Sequence, residues 1–308
     1  MPLYARSAYR QLTRRKPGTG GSTSGRYCYS IWLRHLILAA ESGLPVTPRV
    51  VAELGPGDSL GVGLAALLCG ASEYYAMDSV AYSNVDRNHR VFDELVDLFR
   101  RRADVPGDDE FPDVKPKLRS YAFPATVLDA ERLDAALAPE RLDAIRRAID
   151  EPRGSGPIRI QYVAPWMDAD LDRRESVDAL LSQAVLEHVD DLPRTYAAMH
   201  SWLAPGGWMS HQVDLRSHGT APAWNGHWAY PDRVWRALVR PRMVITINRQ
   251  PCSIHLAHAA AGGAVVRSVI RVPGAHGIGR SRLSREFAAL SDDDLATQGV
   301  FFQAIRAR

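Results

Sequence analysis

Cysteine and lysine are scarce in this 308-residue chain, with three residues of each. The cysteines Cys28, Cys69 and Cys252 are odd in number, widely spaced and without a CxxC pair. This spacing argues against a disulfide framework and against a zinc site. Because lysine is rare, arginine carries nearly all of the positive charge, and it is scattered rather than clustered. A net charge of +3 without a basic run predicts no binding of nucleic acid.

Long hydrophobic runs are also absent. The most apolar segment, residues 31–40, is too short to span a bilayer and contains Arg34 and His35. The first 21 residues carry basic side chains but lack the apolar stretch and the cleavage site of a signal peptide. With 46% hydrophobic and 24% charged residues, the composition is ordinary for a globular enzyme. We therefore expect a cytoplasmic protein without a membrane span.

The most informative stretch of the chain is VAELGPGDSLG, at residues 51–61. An apolar run over 50–54 predicts a buried central strand. Gly55 and Gly57 then allow a sharp turn and a close approach of the backbone to a ligand. Asp58 or Ser59 is expected to cap a helix over 60–68. A second strand is predicted over 73–77, and it ends at Asp78.

The spacing around this turn indicates the kind of ligand. Asp78 follows Gly55 by 23 positions, where an acidic side chain can accept hydrogen bonds from a ribose diol. Glu53 lies inside the strand, where a carboxylate can reach a cationic group. Asp58 at the helix start would repel a pyrophosphate. The turn therefore favours an adenosine with a cationic amino-acid tail, and a Rossmann-like turn for another ligand is the alternative.

A second informative block runs over residues 176–215. SVDALLS predicts another buried strand, and QAVLEHVDDLPRTYAAMHSWLAPGGWMSHQVDL follows it. Leu203, Pro205, Gly206 and Gly207 are expected to form a turn that ends a long helix and reverses the chain. Residues 53–57 of the earlier stretch form an E-x-G-x-G motif. Together with the V-L-E-H-V and Leu-x-Pro-Gly-Gly blocks of this region, that motif resembles the class I S-adenosylmethionine-dependent methyltransferases. The resemblance covers about 49–215 and extends further only by pattern.

The resemblance implies an α/β fold with a Rossmann-like, doubly wound sheet. The sheet is expected to be mostly parallel with an antiparallel last strand, with helices on both faces and inserted substrate segments. We expect a flexible N-terminal arm at 1–26 and a single methyltransferase domain at 27–308. Within that domain we predict a core at 49–102 and 157–215, an insertion at 103–156, a variable substrate segment at 216–262 and terminal strands at 264–308.

The resemblance also implies S-adenosyl-L-methionine as the cofactor. In an open parallel sheet, ligands lie beyond the carboxyl ends of the strands. Asp78 is expected to bind the ribose, although a surface role is the alternative. Glu53 is expected to bind the cofactor unless it pairs with an arginine, and Trp166 packs near the adenine or in the core. The predicted cofactor-binding residues are Glu53, Gly55, Gly57, Asp58, Ser59, Asp78, Trp166 and Ser182.

For catalysis, His188 is the candidate general base, with Glu187 beside it to orient or charge-stabilise the ring. The alternative is that this L-E-H-V sequence only shapes the start of a helix. Further histidines occur at His211, His218 and His227, near Asp214, but their spacings match no familiar metal motif, so no metal is predicted. The aromatic side chains of this region line an acceptor pocket or cover the sheet edge: Trp224, Trp228, Tyr230 and Trp235.

We therefore predict a methyltransferase that acts on a small-molecule acceptor such as a sugar, a glycan or a secondary metabolite. Oxygen is favoured over nitrogen as the methylated atom, since a histidine base would deprotonate a hydroxyl. One alternative is a non-catalytic, cofactor-binding scaffold of the same fold, and an aminopropyltransferase fits the second block poorly. Another is an NAD-dependent oxidoreductase, but no lysine has a tyrosine four residues before it. The sequence makes no prediction of the oligomeric state.

Overall fold

The computed structural model describes residues 21–152, 154–166 and 174–307. Residues 1–20 of the predicted flexible arm lie outside the described residues. The arm was expected to extend to residue 26, but helix α1 (Gly25–Glu41) already begins at Gly25. The amide of Gly25 donates a hydrogen bond of 2.6 Å to Oε2 of Glu94. A carboxylate at a helix N-terminus satisfies an otherwise unpaired donor and complements the helix dipole, so it stabilises this earlier start.

Seven strands were found in the described part of the chain: β1 (Val50–Leu54), β2 (Glu73–Met77), β3 (Arg159–Val163), β4 (Val177–Gln183), β5 (Leu203–Asp214), β6 (Ala264–Pro273) and β7 (Thr297–Arg306). They form one sheet in the order β3-β2-β1-β4-β5-β7-β6. The pairs β1–β2, β2–β3 and β4–β5 are parallel, whereas β7 is antiparallel to both β5 and β6. This topology confirms the predicted fold class, a mostly parallel Rossmann-like sheet whose last strand is antiparallel.

The longer helices that follow α1 are α2 (Gly61–Leu67), α3 (Val85–Arg100), α4 (Ala130–Ala136), α5 (Pro139–Asp150), α6 (Leu192–Trp202), α7 (Cys252–Ala260) and α8 (Asp292–Ala296). A helical turn at Asp232–Val234 continues as a π-helix over Trp235–Val239. Short 3₁₀ turns lie at Leu186–His188, Gly226–Ala229, Arg240–Arg242, Ala261–Gly263, Arg280–Arg282 and Arg285–Phe287. No helix in the described ranges has the length and apolar character needed to cross a membrane.

The chain divides into two compact units. Unit 1 consists of Met1–Leu33, Arg49–Pro112 and Ser120–Asp170. Unit 2 consists of Arg34–Pro48, Asp113–Arg119 and Leu171–Arg308. The strands β1, β2 and β3 belong to unit 1, and the other four belong to unit 2. The single domain predicted over 27–308, with its internal divisions, stays a prediction.

In unit 1, α2 approaches its neighbours through glycine. A Cβ at Gly61 would lie 2.4 Å from Sγ of Cys28, and one at Gly63 would lie 2.0 Å from the ring of Tyr74. Real side chains do not tolerate such distances, so these glycines serve packing. Gly61, the last residue of the VAELGPGDSLG stretch, therefore has a packing role.

The predicted cap of α2 is confirmed in part, because Oγ of Ser59 accepts a hydrogen bond from the Gly61 amide at 3.1 Å. The helix begins at Gly61, and the N-cap position is Leu60, which makes no side-chain cap. The Leu60 amide donates instead to Oδ1 of Asn88 on α3, at 3.0 Å. The carboxylate of Asp58 lies 3.7 Å from Nη1 of Arg87. The start of α2 is therefore held by the local bond to Ser59 and by the tertiary contact with Asn88.

The insertion at 103–156 supports α2. It contains two separate helices, α4 and α5, because Pro139 starts α5 at its first turn. Arg132 of α4 donates to the carbonyl of Cys69 at 2.8 and 3.0 Å. Arg141 of α5 donates to the carbonyl of Leu67 at 2.9 Å. Two arginines of the insertion thus bind carbonyls at the C-terminal end of α2, where cations are favourable.

In unit 2, the Leu-x-Pro-Gly-Gly block becomes a bulge. The helix α6 ends at Trp202, as expected, but β5 starts at once with Leu203. Leu203 pairs with Val177 and Trp208 pairs with Ala179, so the four residues 204–207 of β5 lie opposite the single residue Asp178 of β4. Gly206 has φ 79°, in the left-handed region that favours glycine.

Candidate functional site

The glycine loop after β1 has the backbone conformation that its sequence predicts. Gly55 and Gly57 have φ values of 68° and 76°, which side chains rarely adopt. The Gly55 amide donates to the carbonyl of Met77 at 2.7 Å. The Gly57 amide donates to Oδ2 of Asp78 at 3.3 Å. Three of the predicted cofactor residues, Gly55, Gly57 and Asp78, thus lie together at the carboxyl ends of β1 and β2.

Asp78 is buried and accepts hydrogen bonds mainly from backbone amides. Its Oδ1 accepts from the amide of Ser79 at 2.7 Å, and Oδ2 accepts the longer bond from Gly57 at 3.3 Å. Burial raises the pKa of Asp78, and the amide hydrogen bonds from Ser79 and Gly57 act against that rise. Since each carboxylate oxygen can accept about two hydrogen bonds, Oδ2 has capacity for a hydroxyl donor.

Glu53 lies inside unit 1 with 2% of its surface exposed. The phenol of Tyr74 donates to its Oε2 at 2.5 Å. The partner that the sequence left open is therefore a tyrosine and not an arginine. Burial raises the pKa of Glu53 to about 8, although the bond from Tyr74 lowers it. A cationic ligand group near this carboxylate would favour its ionised form.

Asp58 and Ser59 contact the segment before α1. The Asp58 amide donates to Oγ of Ser22 at 2.9 Å. The Ser59 hydroxyl, which is buried, donates to the carbonyl of Ser22, and the Cys28 thiol donates to the same carbonyl at 3.5 Å. Ser22 is thus a contact of the glycine loop that the sequence did not predict, since nothing local links residues 36 positions apart. The cofactor roles of Asp58 and Ser59 stay predictions.

Trp166 and Ser182, the two remaining cofactor candidates, belong to different units. Trp166 follows β3 in unit 1, is half-buried, and donates its amide to the carbonyl of Asp78 at 3.1 Å. Ser182 lies within β4 of unit 2, and its buried hydroxyl is 2.7 Å from Nδ1 of His211. The hydroxyl of Ser182 is therefore engaged with a histidine on the next strand, β5.

In unit 2, Glu187 and His188 lie on the 3₁₀ turn that follows β4. Asn248 fixes this turn, since its side-chain amide donates to the carbonyls of Leu186 at 2.7 Å and Val189 at 2.9 Å. The Asn248 amide donates to the carbonyl of Glu187 at 2.8 Å. Sequence reasoning missed Asn248, because it is about 60 residues away and belongs to no motif.

The protonation state of His188 is determined by its contacts. Its Nδ1 lies 2.8 Å from the carbonyl of Thr246. A carbonyl only accepts, so Nδ1 carries the proton in the neutral ring and Nε2 keeps a lone pair. Burial lowers the pKa of His188, which favours this neutral ring, and the bond to Thr246 acts in the other direction. Nε2 is 3.9 Å from Oε1 of Glu187.

Asp214 ends β5, Arg216 and His218 follow it, and these residues complete the neighbourhood of His188. The rings of His188 and His218 are 5.2 Å apart and nearly perpendicular. Nε2 of His218 is 3.6 Å from Oδ2 of Asp214. Arg216 donates to both carboxylate oxygens of Asp214, at 2.6 to 3.0 Å. Burial alone would raise the pKa of Asp214, but the bonds from Arg216 outweigh burial and hold it below its usual value.

Glu187 has no such partner. It is 3% exposed, and neither carboxylate oxygen has a hydrogen-bond partner among the described residues. Burial raises its pKa well above the usual range, and the negative charge of Asp214 raises it further. One ligand atom each of Glu187, His188 and His218 lies within 4.8 Å of the others. The spacing argument from the sequence did not anticipate this group.

The histidines His211 and His227 and the aromatic residues near them are packed inside unit 2. His211 is fully buried beside Ser182, and His227 is buried with its ring 4.9 Å from that of Trp228. The indole of Trp228 donates to the carbonyl of Arg249 at 2.9 Å, and the guanidinium of Arg249 lies over Trp235 at 4.7 Å. The aromatic residues therefore form a cluster around Arg249.

The chain also matches a family of known proteins. Residues 47–242, more than half of the chain, match the family model described as a methyltransferase domain. A search of curated proteins finds no significant match.

Several solved structures have a similar fold. One is an S-adenosylmethionine-dependent methyltransferase from Mesorhizobium loti, at 15% identity and a TM-score of 0.42, covering 87% of this chain and 96% of that one. A geranyl diphosphate C-methyltransferase from Streptomyces coelicolor has 13% identity and a TM-score of 0.43, covering 91% and 77%. Phosphoethanolamine N-methyltransferase 2 from Haemonchus contortus has 12% identity and a TM-score of 0.46, covering 100% and 61%. None of these similarities identifies the methyl acceptor of this chain.

Proposed function

The chain belongs to the methyltransferase domain family, and from this premise we propose that it methylates an oxygen atom of a small-molecule acceptor. It is an S-adenosylmethionine-dependent methyltransferase, so the methyl donor is already activated as a sulfonium. The protein then has to hold donor and acceptor in line and to remove a proton from the acceptor. The observation that supports an oxygen acceptor is the neutral ring of His188, with its Nε2 lone pair available.

The proposed cofactor contacts lie mainly in unit 1. The Oδ2 atom of Asp78 accepts from the ribose, and the open backbone of Gly55 and Gly57 admits the ligand without a Cβ in its path. Among the described residues no cationic side chain pairs with Glu53, and it binds the ammonium of the amino-acid tail, which stabilises its buried charge. Trp166 packs near the adenine, while Asp58 and Ser59 hold the glycine loop against Ser22. The cofactor role of Ser182 stays a prediction.

The proposed catalytic residues are His188 and Glu187 of unit 2. His188 takes the proton of the acceptor hydroxyl on Nε2, while the carbonyl of Thr246 holds Nδ1–H and so orients the ring. Glu187, 3.9 Å away, stabilises the imidazolium that forms. A hydroxyl needs this help more than an amine, because a neutral amine carries its own nucleophilic lone pair. The cytoplasmic location and the absence of a nucleic-acid partner stay predictions from the sequence.

Two experiments test this function. Calorimetric titration with S-adenosylmethionine, S-adenosylhomocysteine and NAD in parallel should give binding of the first two and none of the third. Incubation with a panel of hydroxyl and amine compounds, followed by mass spectrometry, should give methylated products in the hydroxyl set.

Three results would contradict the proposal in different ways. Products confined to amines would replace oxygen by nitrogen as the acceptor atom. Cofactor binding without any product from a broad panel would favour the non-catalytic scaffold. Binding of NAD alone would support the alternative that the protein is an NAD-dependent oxidoreductase.

A further inference from the structure

The glutamate of the Glu187–His188–His218 group is the starting observation. Its carboxylate is 3% exposed, and it has no hydrogen-bond partner in the part of the chain that the structure describes. A buried carboxylate without a partner is costly, whereas a bound cation removes that cost. The guanidinium of Arg216 directs its hydrogen bonds to Asp214 instead. Glu187 is thus a buried acceptor with which no lysine or arginine side chain of the described residues forms a hydrogen bond or ion pair.

The two histidines present ligand atoms to the same point. With Nδ1 of His188 bonded to the Thr246 carbonyl, the remaining Nε2 lone pair faces Glu187 at 3.9 Å. A backbone carbonyl on the second ring nitrogen is the usual outer contact of a metal-bound histidine, since it fixes the tautomer and the ring orientation. The carboxylate of Asp214, 3.6 Å from Nε2 of His218, is placed to orient the second ring.

The distances suit a metal ion after small side-chain rotations. The ligand atoms of Glu187, His188 and His218 lie within 4.8 Å of one another. Metal–ligand bonds of about 2.0–2.1 Å place two ligand atoms roughly 3.3 Å apart in a tetrahedral site. The side chains of His188 and His218 are 25% and 26% exposed, so an ion can reach the group from solvent.

We propose that Glu187, His188 and His218 bind one divalent first-row transition-metal ion. Two imidazoles and one carboxylate match Zn²⁺, Co²⁺, Mn²⁺ or Fe²⁺, and they do not match Mg²⁺ or Ca²⁺, which prefer oxygen ligands. Three protein ligands leave positions open for an acceptor oxygen. The ion uses the same Nε2 lone pair as the proton transfer proposed above, so the base role of His188 belongs to the metal-free protein.

The test is binding of Co²⁺ to the full-length protein after removal of metals with EDTA and desalting. The wild type should bind one Co²⁺ per chain, with visible absorption bands that Zn²⁺ abolishes in competition. Glu187→Gln and His218→Ala should each weaken binding by about 100-fold or more, since loss of an outer contact alone costs roughly 10–100-fold. Far-UV circular dichroism of both variants reports whether they are folded.

The matched control is His89→Gln. His89 is a surface histidine of unit 1, 2.7 Å from Asp150, and it samples adventitious binding to a histidine–carboxylate pair. It should bind Co²⁺ as the wild type does. The proposal is overturned if the wild type binds no stoichiometric Co²⁺, if Glu187→Gln binds as tightly as the wild type, or if His89→Gln loses the same affinity.

Because metal binding is measured without methyl donor or acceptor, it is independent of the proposed function. Metal binding by the wild type, with no methylated product from the metal-free protein, would leave the site standing and count against the proposed acceptor chemistry. Methylated product from a protein that binds no metal would retain the proposed function and remove the metal.

Discussion

The backbone amide of Gly57 donates to Oδ2 of Asp78 at 3.3 Å, so the loop after β1 is tied to the residue that ends β2. The same carboxylate oxygen is the one proposed to accept from the ribose. The amide of Gly57 and the ribose hydroxyl are therefore coupled through one side chain. Ligand affinity and loop conformation should change together when Asp78 is altered.

Asp78→Ala should weaken binding of S-adenosylhomocysteine. Hydrogen bonds to a charged group contribute about 1.5–3 kcal/mol, which corresponds to roughly a 10- to 150-fold rise in Kd. Calorimetric titration measures the effect. Asp97→Ala, an exposed aspartate on α3, is the control and should bind as the wild type does. An unchanged Kd in the Asp78 variant would remove this residue from the cofactor site.

Glu53→Gln should stabilise the ligand-free protein at high pH while weakening cofactor binding. The folded-state pKa of Glu53 is raised to about 8 by burial. Between its unfolded value near 4.5 and 8, the folded protein holds a proton that the unfolded chain releases. The wild type therefore loses stability as the pH rises through this window, by about 1.4 kcal/mol per pH unit, and glutamine does not titrate.

The measurement for this variant is the free energy of unfolding in urea at pH 6 and pH 8. The stability advantage of Glu53→Gln should be larger at pH 8, and titration with S-adenosylhomocysteine should show a weaker Kd. An advantage that does not change with pH would mean that Glu53 is already ionised in the folded protein.

His188→Gln should lower kcat with little effect on cofactor affinity. Loss of a general base costs about 10²- to 10⁴-fold in rate, whereas the proposed cofactor contacts lie mainly in unit 1. Single-turnover kinetics with the acceptor found in the screen separates the two quantities. His276→Gln, at an exposed histidine, is the control. A variant with full activity would leave His188 without a catalytic role.

Acid should destabilise unit 2 through its buried histidines. Burial lowers the folded-state pKa of His35 to about 4, that of His255 to about 3 and that of His211 well below its usual value. Below about pH 6.5 the unfolded chain binds protons that the folded protein excludes, so each of these residues costs about 1.4 kcal/mol per pH unit. The stability is therefore fully present above pH 6.5 and is lost as the pH falls.

The substitution His255→Gln tests how much one of these histidines contributes to the loss of stability in acid. His255 is fully buried, with Nδ1 3.2 Å from the hydroxyl of Tyr196. His255→Gln removes one titrating group, so the stability difference from the wild type should shrink as the pH falls from 6.5 to 5. A constant difference in urea unfolding over this range would show that His255 is protonated in the folded protein.

Gly63→Ala should destabilise the protein through overpacking. The added Cβ would lie 2.0 Å from the ring of Tyr74, and overpacking of this kind costs about 1–3 kcal/mol. Gly279→Ala is the control, because nothing lies within 4 Å of a Cβ at that position, and its effect should stay within about 0.5 kcal/mol. Thermal and urea unfolding of both variants make the comparison. Equal stability of the two would mean that α2 shifts freely away from β2.

Short-range patterns in the sequence determined most of the regular structure. The bounds of β2 were predicted at 73–77, because a short apolar run ends at a polar residue and a strand needs no more than that. The conformation of Gly55 and Gly57 was predicted equally well, since few residues other than glycine adopt those φ values. The topology followed from the family resemblance, and its antiparallel β7 was confirmed.

Tertiary structure alone decided which side chains meet. The partner of Glu53 is Tyr74 on the neighbouring strand, Ser182 bonds to His211, and Ser22 reaches the glycine loop. Such contacts depend on strand register and on the paths of loops, which no local pattern encodes.

The group of Glu187, His188 and His218 shows most clearly that tertiary structure decides which side chains meet. The sequence predicted that Glu187 lies beside His188. It did not predict that His218, 30 positions later, joins them, nor that Glu187 lacks a hydrogen-bond partner among the described residues. Asn248 holds the turn at 186–188. His218, which follows β5, has a left-handed backbone conformation with φ 47°. Residue identity determined what chemistry this chain can offer, while the long-range packing of its loops decided where the groups come together.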